Sequence, residues 1–254
     1  MGYIKMIIGT AAFAAAVLIM PAIPAKAAGG WQQDSAQEWV YVEHDKKLVN
    51  QWVLWPDGTM RYVGDNGRIA ADRWVNVGEA RYRVRADGSR YENEWFSLTS
   101  KPSLPSGNPG TTWYYAGVDG NILKNGWYDL NGKLYYFYPG GNSPRNSFFN
   151  LEDKRYYVDE MGARKNPGWF SIDNVNSKGI SYTTWYYVTE DGFLLRDGWH
   201  ELEGVTCYFD TNGSAYRNRW FNLNDDRYYV DENGNRQNGW FSVTSTNANG
   251  QEYT

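Results

Sequence analysis

The chain has 254 residues with 25 Lys and Arg against 29 Asp and Glu, a formal charge of −4, which excludes the basic face that nucleic-acid binding needs. Thirteen Trp, 21 Tyr and 10 Phe beside 27 Gly exclude an ordinary aliphatic core, and the single Cys207 excludes an internal disulfide framework. Catalysis needs a constellation that is missing here: the histidines are His44 and His200, with no nucleophile elbow and no metal-spaced His pair, so no catalytic residue, metal site or cofactor is expected.

At the N-terminus, Lys5 precedes an apolar run from Ile7 to Met20, then Pro21, Pro24 and Ala25-Lys26-Ala27. These 14 apolar residues are fewer than the roughly 20 of a membrane-spanning helix, and the Ala-x-Ala end suits cleavage before Ala28. Residues 1–27 are thus expected to be a secretory signal peptide. Removing them takes away Lys5 and Lys26 and no acid, moving the charge from −4 to −6.

From Trp31 onward the chain repeats itself. Units open at Trp31, Trp52, Trp74, Trp95, Trp127, Phe148, Trp169, Trp199, Trp220 and Trp240, mostly about 21 residues apart, and each continues with a polar turn, a short aromatic segment and usually a Gly-containing turn. Gly126-Trp127-Tyr128, Asn131-Gly132 and Leu134-Tyr135-Tyr136-Phe137 form the clearest example. Two aromatic or β-branched segments around such a turn predict a β-hairpin. A lone hairpin is marginal in water, so each must bury its aromatic face against neighbours. The expected fold class is all-β: a solenoid of hairpins over residues 28–254.

A second period lies above the first. Two units are longer, with polar insertions Ser97 to Thr111 and Ser171 to Thr183, read as surface loops, that return to Thr112-Trp113-Tyr114-Tyr115 and Thr184-Trp185-Tyr186-Tyr187. The residue before the central aromatic pair is Trp39, Trp113 or Trp185 in one class of unit, Met60, Leu134 or Thr206 in the next, and Arg81, Arg155 or Arg227 in the third. The pattern recurs every three units. A further long unit opens at Trp240 and runs to Thr254 without its Trp-Tyr-Tyr, which reads as a truncated parent.

Acids cluster in turns such as Asp159-Glu160-Met161-Gly162, where Asp and Gly serve the backbone. Asp210-Thr211-Asn212-Gly213 lacks the later bidentate acid of a calcium loop. Cys207 stands where other units carry Tyr and reads as a semi-buried structural thiol.

Gly126-Trp127 with Tyr135-Tyr136-Phe137, Gly198-Trp199 with Tyr208-Phe209, and Gly239-Trp240 resemble the choline-binding and cell-wall-binding repeats. The same grammar is similar to the glucan-binding repeats of streptococcal glucosyltransferases and the carbohydrate-binding repeats of clostridial toxins. The resemblance implies a left-handed superhelix with three hairpins per turn, and ligand pockets between hairpins that use the opening Trp, the Trp before the Tyr pair and an aromatic of the next hairpin. Carried to this chain, it implies ligand-binding sites at Trp31, Trp39 and Tyr62, at Trp95, Trp113 and Tyr135, and at Trp169, Trp185 and Tyr208. A quaternary ammonium has no conventional hydrogen bond to offer, so ring faces are what can hold it. Two departures bear on these sites: the insertions are expected to separate the paired Trp residues, and Arg81, Arg155 and Arg227 repel a cation unless they turn away.

The implied partner is choline-bearing teichoic acid or another polysaccharide of a bacterial wall, with no nucleic acid and no membrane span after cleavage; the implied place is outside the cell, on its surface. An α-glucan or host oligosaccharide, or a host protein met by the insertions of an adhesin rod, are the alternatives.

Overall fold

The structure is a computed structural model that describes residues 29–100, 110–246 and 251–253. The expected signal peptide and most of the first insertion lie outside the described residues. All regular elements among the described residues are strands. The chain divides into two compact units, Met1–Tyr91 and Glu92–Thr254.

In the first unit, β1 (Gly29–Gln33) pairs with β2 (Trp39–Glu43), which continues to the short β3 (Lys46–Lys47); β4 (Gln51–Leu54) pairs with β5 (Met60–Val63), and β6 (Arg73–Val77) with β7 (Ala80–Val84). Among its described residues the second unit holds seven antiparallel strand pairs: β8 (Glu94–Thr99) with β9 (Thr111–Ala116), β10 (Gly126–Leu130) with β11 (Lys133–Phe137), β12 (Ser147–Leu151) with β13 (Lys154–Val158), β14 (Gly168–Val175) with β15 (Ser181–Val188), β16 (Gly198–Leu202) with β17 (Val205–Phe209), β18 (Arg219–Leu223) with β19 (Asp226–Val230), and β20 (Ser245–Thr246) with β21 (Glu252–Tyr253). The all-β hairpin expectation therefore holds.

Local chemistry fixes each hairpin. Leu130 pairs with Lys133 across Asn131 and Gly132, whose φ angles of 58° and 79° both lie in the left-handed region, matching the twist of the flanking strands. A second tight turn follows each hairpin. In the turn after β13, Asp159 Oδ1 accepts the amides of Met161 and Ala163, both at 2.9 Å, and the Gly162 amide donates to the Asp159 carbonyl. Gly162 has φ 83°, and a Cβ there would meet the Pro144 carbonyl at 2.9 Å. The chain then enters the next hairpin through a left-handed Asn or Asp such as Asn146 or Asn218, whose Oδ1 accepts the hydroxyl of Tyr157 or Tyr229.

Backbone hydrogen bonds link one hairpin to the turn after the next. In the second unit, Ser143 N donates to Trp113 O, Arg164 N to Leu134 O, Leu194 N to Arg155 O, Ala215 N to Trp185 O and Arg236 N to Thr206 O, at 2.8 or 2.9 Å. In the first, Ile69 N donates to Trp39 O and Arg90 N to Met60 O. The acceptors are the same positions that carry the period of three in the sequence. The last residue of most second strands is sealed: Val63, Val84, Ala116, Phe137, Val158, Phe209 and Val230 have no exposed surface. The core is therefore a series of small sealed positions flanked by half-buried rings.

The second insertion is not the surface loop its composition suggested. Ile172, Asp173, Asn174 and Val175 pair with Thr184, Thr183, Tyr182 and Ser181, so the hairpin lengthens and only residues 176–180 turn. Alternating β-branched and polar residues favour a strand, and Asn176 Oδ1 closes the turn on the amides of Lys178 and Ile180. The first insertion likewise begins and ends as strand, through Thr99 and from Thr111.

Phe137→Ala is expected to destabilise the chain by about 3–5 kcal/mol, the cost of emptying a sealed aromatic position, whereas Val118→Ala, at a 78 % exposed turn residue, stays within about 0.5 kcal/mol. Denaturant unfolding followed by far-UV circular dichroism measures both.

Candidate functional site

The paired tryptophans share one geometry. Trp95 lies opposite Tyr115 and Trp113 opposite Ser97, so both rings sit on one face of β8–β9 as diagonal neighbours. Trp169 and Trp185 repeat this register in β14–β15, and Trp31 and Trp39 in β1–β2. The insertions therefore do not separate the pairs. They extend the hairpin beyond the second Trp and leave the register beneath unchanged.

A side chain from the turn after the next hairpin occupies each pair in the second unit. The Arg145 guanidinium carbon lies 4.8 Å from the Trp95 ring centre and 4.2 Å from that of Trp113. Arg217 lies 4.9 Å from Trp169 and 4.2 Å from Trp185. Arg145 Nη1 donates to the Met161 carbonyl and Arg217 Nη1 to the Glu232 carbonyl, while both Nε atoms are buried without a hydrogen-bond partner. Ring faces compensate that desolvation, each contact contributing about 0.5–2 kcal/mol. Burial lowers the proton affinity of both guanidinium groups; Tyr135 and Asp159 raise that of Arg145, Cys207 and Asp231 that of Arg217.

Of the three sequence-predicted third members, one joins its pair. The Tyr135 ring centre is 5.0 Å from that of Trp95. Tyr62 instead packs on Trp52, and Tyr208 on Trp199, Tyr216 and Phe221. The correction is one residue of register: the backbone positions equivalent to Tyr135 are Arg61 and Cys207, and adjacent strand residues point to opposite faces. Beside Trp169, the next hairpin places Phe209, stacked at 5.7 Å, where Phe137 stacks on Trp95 at 5.5 Å.

The first unit fills its pair differently. The position two residues beyond the amide that bonds the second Trp carbonyl is Arg145 after Ser143, Arg217 after Ala215, and Ala71 after Ile69. Alanine cannot reach the rings. Trp55 takes the place, its ring 4.7 Å from Trp31 and 5.1 Å from Trp39. Arg61, 5 % exposed, lies 5.4 Å from the Trp55 ring and is paired with Asp57 and Asp87 at 3.4 and 3.7 Å.

Sequence reasoning also missed a wider rule. Arg90, Arg164 and Arg236, equivalent by their amide bonds, lie over Trp52, Trp127 and Trp199 at 5.0, 5.8 and 5.2 Å. Arg81, Arg155 and Arg227 do not turn away: they face Trp74, Phe148 and Trp220 at 3.9, 4.9 and 4.8 Å. The available signal was the recurrence of Arg81, Arg155 and Arg227 at one spacing, seven positions after Trp74, Phe148 and Trp220. Elsewhere, Asp210 Oδ1 is engaged by the amides of Asn212 and Ser214, which gives that acid a turn-closing role. No group of acidic, His and Cys side chains suited to a metal occurs among the described residues.

No model of a known protein family matches the chain. It is 24 % identical over 205 residues to glucosyltransferase-I of Streptococcus downei, a match covering 75 % of this chain and 12 % of that protein. The chain thus spans about an eighth of that relative's length. Similar solved structures include the modular autolysin LytC of Streptococcus pneumoniae (18 % identity, TM-score 0.48, 89 % of this chain and 50 % of that one). Choline binding protein F of the same organism is another (20 %, 0.42, 91 % and 100 %). Alternansucrase in complex with isomaltononaose gives 19 %, 0.27, 87 % and 20 %.

Cys207 is buried more deeply than expected, 1 % exposed opposite His200, and burial pushes its thiol above the ordinary range. Fewer thiolates at a given pH and no access both oppose reaction. The native chain is therefore expected to leave Ellman's reagent unreacted at pH 8 while the denatured chain releases one equivalent, measured by absorbance.

Proposed function

We propose that the chain is a non-catalytic module that attaches a secreted protein to a bacterial surface polymer, choline-bearing teichoic acid or a related glycan. The observation that carries this reading is the recurrence of one Trp pair at one register, Trp31–Trp39, Trp95–Trp113 and Trp169–Trp185, with Trp39 and Trp169 about 40 % exposed. Rings with one face packed and one edge wet are suited to contacting ligand while holding the fold. In this reading the hairpins stack as a solenoid, three per superhelical turn, as the period of three in the residue before each central aromatic pair supports. Sites spaced along a rod meet ligands spaced along a polymer, so several weak contacts act together.

A glycan is the second reading, favoured by one observation. Arginines already lie against the faces that a quaternary ammonium would use, whereas exposed Trp edges beside guanidinium donors suit a hydroxyl-rich sugar, stacked and hydrogen-bonded at once. The exposed Val175, Ile180 and Tyr182 of the extended hairpin support a protein partner as a lesser alternative.

Purified residues 28–254 are expected to sediment with Gram-positive cell walls, and loss of both Trp113 and Trp185 to alanine to weaken retention by about 10²-fold or more through lost avidity. Competition assigns the ligand: free choline releases a choline-bound module, soluble α-glucan a glucan-bound one. Retention on neither walls nor a glucan matrix overturns the proposal.

A further inference from the structure

Every third hairpin carries the same polar pair across its strands. Asn76 lies directly opposite Arg81 in β6–β7, Asn150 opposite Arg155 in β12–β13, and Asn222 opposite Arg227 in β18–β19. The corresponding positions vary in the other two classes: Gln33, Ser97 and Ser171 oppose a tryptophan, whereas Leu54, Asp129 and Glu201 oppose Met60, Leu134 and Thr206. We propose that Asn150–Arg155 and Asn222–Arg227, with Asn76–Arg81 as their counterpart in the first unit, bind the oxyanion of an anionic polymer, either the phosphodiester of a polyol phosphate or the carboxylate of a uronic acid chain. The inference rests on the surface-polymer reading and names the group of that polymer which these hairpins meet.

Packing does not account for the pair. The three asparagines are exposed, and the side chains of Asn150 and Asn222 form no hydrogen bond among the described residues. Arg155 and Arg227 likewise have neither a hydrogen bond nor an ion pair there, and Arg155 Nε is buried without a partner. Asp153 and Asp225 precede them by two residues and leave them unpaired. By contrast, Arg145, Arg164 and Arg217 are each fastened to a carbonyl, those of Met161, Asp191 and Glu232. What holds Arg155 and Arg227 is a ring: the guanidinium carbon lies 4.9 Å from the centre of Phe148 and 4.8 Å from that of Trp220. The ring fixes the head in place and leaves its Nη donors unspent.

A guanidinium offers donors only, in a planar fork that matches two oxygens of a phosphate or carboxylate. The carboxamide opposite adds an N–H donor to the same anion, and its oxygen accepts a hydroxyl on a neighbouring carbon. The aromatic backing removes side-chain freedom that binding would otherwise cost. In β18–β19 these groups already form a concave site, since Trp220, Phe221, Asn222 and Arg227 line a cavity of 280 Å³. The chain is acidic overall, so net charge does not draw a polyanion to it. The attraction is local, reaching about 8 Å from each guanidinium at physiological ionic strength.

Retention of the mature chain, residues 28–254, on immobilised poly(glycerol phosphate), polygalacturonate and neutral dextran tests the proposal. The unsubstituted chain is expected to be retained on at least one polyanion, and Arg155→Gln and Arg227→Gln each to weaken that retention by about tenfold. Retention on dextran is expected to stay unchanged. Loss on poly(glycerol phosphate) assigns a phosphodiester, and loss on polygalacturonate a carboxylate. Arg164→Gln, which uncovers the Trp127 ring but faces no asparagine, is expected to bind as the unsubstituted chain does. Should an arginine variant lose its native near-UV circular dichroism, the Asn150→Ala/Asn222→Ala double variant decides: its side chains are exposed and bond nothing, and retention is expected to fall by about threefold per site. No polyanion retention by the unsubstituted chain, unchanged retention in the asparagine double variant, or an equal loss in Arg164→Gln overturns the proposal. Sedimentation with cell walls alongside any of those results leaves the module reading standing, so the two fail separately.

Discussion

A guanidinium laid on an indole or phenyl face is the interaction on which the hairpins of each unit depend. From Trp52 to Trp220 every opening aromatic has an arginine over it, delivered from its own hairpin at Trp74, Phe148 and Trp220 and from a later turn at the others. The reason lies in the size of the core. Each hairpin seals about one residue, Val or Phe or Ala, which is too little apolar surface to order some twenty residues of backbone against their entropy. Aromatic rings supply the missing area, but their outer faces are left half-wet. The arginine covers such a face with a planar group that keeps some donors on carbonyls or water, a combination that no aliphatic side chain offers.

This constraint explains why the period of three is written in the residue before the aromatic pair. Trp113, Leu134 and Arg155 differ as side chains, yet each offers its carbonyl to the turn after the next hairpin. Backbone geometry is therefore the same at every step, and side chains decide only what fills the space above it. Stability in such an array comes from each hairpin and its neighbours, with little contributed by distant contacts. One position can then change its filling without disturbing the rest.

The hairpins were legible in the sequence because turn chemistry and strand alternation are local. Asn131-Gly132 dictates a tight turn wherever it stands, and Tyr135-Tyr136-Phe137 has few alternatives to a strand beside it. The ring clusters were legible only in part. Trp31, Trp39, Trp95, Trp113, Trp169 and Trp185 pair as the repeat implies, whereas Tyr62 and Tyr208 face the neighbouring cluster. They match Tyr135 in residue type and differ from it in register, and register decides the face. Arg145 and Arg217 escaped notice because their connection to the rings is long, 50 and 32 residues for Arg145, and passes over an intervening hairpin. The second insertion read as loop because Asn, Ser and Gly dominate its composition, while the pairing depends on Ile172, Thr184 and Tyr182 alternating with them.

Trp55 shows how strongly the fold requires these pairs to be filled. The hairpin of β4 and β5 carries one more residue between its paired aromatics than that of β10 and β11, ten positions from Trp52 to Tyr62 against nine from Trp127 to Tyr136. The longer turn brings an indole back onto Trp31 and Trp39 in the same unit where Ala71 leaves the space that an arginine fills elsewhere. A void between two large rings loses dispersion contacts on both faces and offers water no polar partner. Two unrelated side chains, entering from different elements, answer the same vacancy. The space between the paired rings is thus the fixed feature of the repeat, and its occupant, arginine or tryptophan, is what varies.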